Sequence, residues 1–316
     1  MTICKKTVLL VALFSSIAVQ AQQQSKVSDN KNAALIYRMA FDELQDFSGD
    51  YPSRELMNNV LSGTAPWDEE HLGPILDRNR ETILMMQRGT SLPECDWKAV
   101  RQGADILKTW NLQRLNALEG WRLMAHGDSD AAVETWLKGL KFAHHANSMP
   151  RIAGFFAAEV PMETSISALT LAAEKGLVSN ASLKTIKAAL EQMPPDVIDW
   201  KGPLESEAAE VEFELIHDGP YLYAIRSKLV SDQTPGAKPT ASDIANYRNW
   251  MKAVIEAFQL PLAETEVRLE QIRGTFAAYP LAQESAINPP GMNKARQRII
   301  EQRQKALQAI EKQLEK

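Results

Sequence analysis

Few residues in this 316-residue chain are spaced for chemistry, and the five histidines are the first to weigh: His71, His126, His144, His145 and His217. A zinc centre needs three or four ligands within about 2 Å of the metal, and the tempting set is His126, Asp128, His144 and His145. If Asp128 begins a helix, His144 lies roughly 24 Å further along it at 1.5 Å per residue, too far to share one ion. His144 and His145 are adjacent, so on a helix they diverge by about 100° and cannot form the i, i+4 pair of zinc helices. The expectation is no metal and no other cofactor, with both imidazoles in the last turn of a helix, partly protonated against its dipole.

Glu159 and Glu163 are four apart, which places two carboxylates on one helix face, as a proton-transfer pair requires. Pro161 between them removes a backbone donor and is expected to kink the helix. Nothing around them completes a motif. They are candidate catalytic residues set against a plainer reading, two solvated glutamates beside a tolerated kink. Nucleophile-elbow, phosphate-loop, His-Glu-x-x-His and dinucleotide motifs are all missing, which lowers the expectation of the common hydrolase and nucleotide-dependent classes. Among aromatics, Trp110 and Trp121 lie three helical turns apart on one side, with Trp136 expected opposite them. These three are the candidate lining of a groove for an apolar ligand or a partner helix, with core packing as the competing explanation.

Residues 1–21 read as a secretory signal, with Lys5 and Lys6 before an apolar run from Thr7 to Val19, and small residues Val19 and Ala21 at the cleavage site. Cys4 precedes the charged pair and is misplaced for lipid attachment. Cleavage leaves 33 basic and 40 acidic residues, a net of −7, which disfavours nucleic acid as a partner. It also leaves Cys95 alone, so no intrachain disulfide forms, and without a flanking histidine Cys95 reads as a small half-buried residue. Composition agrees with an exported, soluble globular chain, 45% apolar and 24% charged, periplasmic or extracellular. No segment after the signal is long and apolar enough to span a bilayer.

The elements that must position these residues are helices. In 242–258, Ile244, Tyr247, Met251, Val254 and Phe258 make one stripe, with Ser242 as the expected cap. Leu262, Leu269, Ile272, Phe276 and Tyr279 make the next, ended by Pro280, with Pro261 in its first turn. Leu183, Ile186, Leu190 and Met193 mark another, stopped by Pro194 and Pro195. Further helices are expected at 30–47, 53–62, 68–89, 97–126, 129–146, 151–175, 204–217 and 220–231. The fold class is all-α, antiparallel helical hairpins in a bundle or short solenoid without a sheet. A signal at 1–21 precedes a multi-helix domain at 22–230, an exposed loop at 231–241 and long C-terminal helices at 242–316.

Asn116 to Ala143 resembles one tetratricopeptide-type hairpin: Gly120 in its first helix, the turn Gly127-Asp128, then Ala132, Trp136 and Leu140, but with Gly139 where that repeat has alanine. More broadly, the order Asn32-Ala33-Ala34-Leu35-Ile36-Tyr37, Arg78-Asn79, Leu92-Pro93-Glu94-Cys95-Asp96-Trp97 and Gly127-Asp128 resembles an uncharacterised family of exported bacterial all-helical proteins. That resemblance implies the fold and supplies no catalytic residues. At 294–316, seven Lys/Arg against three Glu give a basic helix with a thin stripe of Ile300, Leu307, Ile310 and Leu314. It suits docking on the acidic body, self-association or anionic lipid. The function expected is a binding or scaffolding module with a protein partner or apolar ligand. The alternatives are a hydrolase-type enzyme with a carboxylate site between helices, or a structural cell-envelope protein.

Overall fold

The computed structural model describes residues 31–45, 51–100, 105–217, 240–276 and 287–316. The signal segment, the helix expected at 220–231, nearly all of the 231–241 loop, and Tyr279 and Pro280 lie outside the described residues. Within them the order is α1 (Ala33–Glu43), α2 (Tyr51–Leu61), α3 (Glu69–Arg78), α4 (Arg80–Thr90), a 3-10 turn (Trp97–Ala99), α5 (Ile106–Ala125) and α6 (Ser129–Asn147). It continues with α7 (Ala153–Glu174), α8 (Asn180–Glu191), α9 (Lys201–His217), α10 (Ala241–Phe258), α11 (Leu262–Thr275) and α12 (Pro289–Leu314). The class is all-α. Among the described residues the only extended pairing is a single parallel bridge between Asn32 and Glu94, and no helix is long and apolar enough to cross a membrane.

Side-chain chemistry sets the helix ends. Asp68, Asp105, Asp128 and Ser179 each accept a backbone N–H from the first turn they precede. Gly127 ends the first helix of the hairpin at φ +87°, a conformation costly for residues with a Cβ. Four expectations need correction. The helix expected at 97–126 begins at Ile106, after a separate 3-10 turn at Trp97–Ala99. The helix expected at 68–89 is two helices, because Asn79 leaves helical geometry, turns its Nδ2 back to the carbonyl of Ile75 and accepts the N–H of Gln45 with its Oδ1. Thr240, not Ser242, caps α10, in a reciprocal box with Asp243. Pro261 caps α11 from outside its first turn.

One apolar cluster runs from Met57 to Ile310, so residues on both sides of 231–241 contribute to the same core. Within it α6 packs on α5 and α7, and α12 lies along α7 with Met292, Ala295, Ile299, Ala306 and Ile310 buried. The stripe of the basic helix is therefore spent inside the chain: Ile310 is fully buried and Ile300, Leu307 and Leu314 pack against the core. A second cluster gathers Tyr37, Phe41, Met86, Trp97, Leu112 and Phe142. The segments Asn32–Tyr37 and Leu92–Trp97 meet here. The Asn32 side chain accepts the N–H of Asp96 at 2.8 Å and donates to its carbonyl at 2.9 Å, copying a backbone pair. Asn147 does the same for Asp199, at 2.7 and 3.0 Å.

Candidate functional site

The α5–α6 hairpin is held at close range by glycine. A Cβ on Gly120 would lie 2.1 Å from Trp136 Nε1, so only glycine lets the indole seat against α5, where it donates to the Ala117 carbonyl at 3.1 Å. Gly139 answers to two neighbours at once: a Cβ there would meet Ser165 Oγ of α7 at 2.5 Å and Gln113 Nε2 of α5 at 2.6 Å. An alanine there would have to displace both side chains. Trp121 is 8% exposed and packs on Trp136 with ring centres 4.9 Å apart. Trp110 is half-buried and donates to the Phe156 carbonyl at 2.8 Å. The space beside Trp136 is thus filled by its neighbours, and the tryptophans form the packed back of the hairpin.

An open groove lies on the other side. At 100° per residue, Glu119, Leu123 and His126 fall roughly opposite Trp110 and Trp121 on α5, with Arg122 on the flank. With Ala131, Glu134, Thr135 and Lys138 of α6 they face α3 and α4 across a cavity of about 470 Å³. Leu76, Ile83, Leu84 and Leu123 supply its apolar surface, and Leu84 is 43% exposed. Arg122 ties the walls together, its guanidinium donating to Asp77 at 2.8 Å and to Glu69 at 2.7 Å. Lys138 pairs with Glu134 at 2.8 Å. The half-buried Glu119 makes no hydrogen bond or ion pair to any described residue. Burial raises its carboxyl above the ordinary range, and the nearby Arg122 offsets only part of that shift.

Glu159 and Glu163 do share one face of α7, which runs unbroken through Pro161. A buried carboxylate helps start this helix: Glu207 of α9 accepts the N–H of Ile152 at 3.3 Å and the Nε of Arg151, whose φ is +66°. Both glutamates are engaged. Arg298 of α12 donates from Nη2 to Glu159 at 2.5 Å and from Nε to Glu163 at 2.6 Å. Burial, then the charge of Glu163, raises the Glu159 carboxyl, and Arg298 works against both. The solvated pair expected beside the kink is therefore a clamped pair, whose cation lies 135 positions or more away in sequence.

The histidines are dispersed. His126 Nε2 is 3.4 Å from Glu69, while His144 and His145 occupy the last turn of α6. The expected protonation there is overturned: burial lowers His144 and, with Lys141 and His144 adding to it, pushes His145 down to about 4. His145 Nδ1 meets the Tyr37 hydroxyl at 2.7 Å, and its carbonyl accepts Trp97 Nε1 at 2.8 Å and Cys95 Sγ at 3.7 Å. Burial pushes the Cys95 thiol up to about 12, so it is an unreactive packed group. Among the described residues no group of three His, Cys, Asp or Glu converges to hold a metal.

Sequence reasoning missed the groove residues. One signal pointed to them: Leu115, Asn116, Ala117, Leu118, Gly120 and Trp121 are all buried, so Glu119 is a carboxylate inside an otherwise buried run of α5. What the fold defines is an all-α class. Beyond that class, the chain matches no family model, no curated protein and no solved structure.

Proposed function

We propose that this is an exported helical binding module whose partner, a protein segment carrying a basic side chain among apolar ones, docks in the groove between α3–α4 and the α5–α6 hairpin. The observation that carries the reading is Glu119, a half-buried carboxylate that makes no hydrogen bond or ion pair among the described residues, in a groove lined by charged and apolar side chains together. A half-buried carboxylate is costly unless a cation meets it, and a lysine or arginine from outside would supply that cation. The cavity volume suits a few side chains, and the chain's net charge of −5 favours approach of a basic partner. The tetratricopeptide-like form of the hairpin fits a scaffolding role of this kind. The enzyme reading is less well supported, because the carboxylates it needs, Glu159 and Glu163, are bound to Arg298.

The test is fluorescence anisotropy with a labelled peptide of alternating leucine and lysine, and with the same peptide carrying glutamate for lysine. The lysine peptide should bind saturably and the glutamate peptide should not. Glu119→Gln should weaken binding about tenfold and Leu84→Asp should abolish it. Equal binding of both peptides, or indifference to Glu119→Gln, removes the reading.

A further inference from the structure

The inner side of α12 is built unlike the helices it covers. Met292, Arg296, Ile299, Arg303, Ala306 and Ile310 follow one another at steps of four and three, the spacing of a helix packed along another helix, and two of the six are arginines. Arg296 is 4% exposed, and its guanidinium is spent on Asp196, Thr265 and the Leu260 carbonyl. Arg303 donates from Nη1 to the Pro194 carbonyl at 2.8 Å, while its buried Nε has no partner. The Oδ1 of Asn293 and the Oε1 of Gln302 are likewise buried and unpartnered, so α12 holds three of the five such side-chain atoms among the described residues, and α6 and α7 hold none. Both amides border open space. Asn293 lines a cavity of about 730 Å³ against α11, and Gln302 lines one of about 520 Å³ against α2, α5 and α7.

Each of these features weakens docking. A buried ion pair roughly breaks even against leaving both charges in water, an unpartnered buried atom opposes burial outright, and a cavity removes packing contacts. The ion pairs from Lys305 to Glu174 and from Lys187 to Glu311 lie at the surface, where such pairs add little. The helix itself is made locally. It runs for 26 residues, Asn288 caps it by accepting the Gly291 N–H, and Gln297 donates to Glu301 one turn on. We infer that α12 is a releasable strap, which leaves the surface of α7 while α5, α6 and α7 stay folded together. Helical spacing places Ile166 and Thr170 on the α7 face that carries Glu159 and Glu163. Release therefore bares a buried apolar strip beside two carboxylates, and closure returns Arg298 to them. The strap governs access to that face and contributes no residue to the groove bearing Glu119.

Native-state hydrogen exchange of the whole protein in rising urea, read on proteolytic fragments, tests the strap. Amides in the middle of α12 should exchange about a hundredfold faster than those in the middle of α5 and α6, with a weaker dependence on urea because less surface opens. Asn293→Leu and Gln302→Leu each replace an orphaned amide by an apolar group and should slow exchange in α12 severalfold. Arg298→Met should speed it about tenfold. None of the three should change exchange in α5 or α6 at low urea, and Glu119→Gln should change neither region. Should one variant fail to fold, the unmodified protein and the remaining variants decide. Exchange of α12 at the same rate and with the same urea dependence as α5 and α6 would overturn the proposal, because the helix would then open only with the whole molecule. Variants that move both regions together would overturn it as well.

Discussion

The groove on the α5–α6 hairpin and the clamp between α7 and α12 handle the same problem, partly buried carboxylates, in opposite ways. In the clamp, Glu159 and Glu163 share one guanidinium supplied by the chain itself. In the groove, Arg122 is committed to Asp77 and Glu69, and Glu119 makes no ion pair among the described residues, with the charges of Arg122 and Arg80 offsetting its burial only in part. The difference teaches where to look for function. An interaction closed within the chain contributes to the fold, whereas an uncompensated charge beside open space marks a place where something else completes the structure.

The comparison breaks most visibly if the shared back wall is removed. Trp136→Ala takes away a fully buried indole that braces α5 against α6, and it should cost about 3–5 kcal/mol in denaturant-unfolding experiments and erase peptide binding. Acid is the next probe. The folded-state value of His145 lies below its ordinary one, so the unfolded chain binds the extra proton and stability falls as pH drops from about 6.5 towards 4. A plot of unfolding midpoint against pH should lose part of that slope in His145→Asn. Arg298→Met should cost about 1–2 kcal/mol at pH 7, moderated because the guanidinium is half exposed. That loss should shrink at lower pH, since the raised Glu159 carboxyl takes up a proton and stops repelling Glu163.

Glu119→Gln sharpens the contrast at the small end. Its raised carboxyl means the folded state binds the proton more tightly, so in the wild type this group favours the fold as pH falls through its raised value and disfavours it at neutrality. The amide should therefore leave stability unchanged or improve it by about 0.5 kcal/mol at pH 7, while weakening peptide binding about tenfold. A marked loss of stability would mean that Glu119 is internally compensated like Glu159, and the distinction between the two regions would vanish.

The fold was readable because its signals are local. Gly127 followed by Asp128 marks a stop and a start, Pro194-Pro195 closes a helix, and spacings of three and four identify buried faces such as Tyr247, Met251 and Val254. The sites were less readable because their partners are remote. The spacing of Glu159 and Glu163 predicts a shared face, but the meaning of that face rests on Arg298. Trp110, Trp121 and Trp136 share a hairpin as expected, yet Gly120 lets one indole sink into the core, and the opening falls on the side that periodicity assigned to no role. Asn79 hid its break in the same manner, since its interruption depends on a contact with Gln45, 34 positions earlier.

The placement of α12 against α7 also orders events in time. During synthesis eleven of the described helices emerge before the segment that covers the α7 surface, so Glu159 and Glu163 face each other uncompensated and an apolar seam stays wet until that segment arrives. Such long-range closure slows the last stage of assembly and lengthens the interval in which proteases or chaperones can intervene.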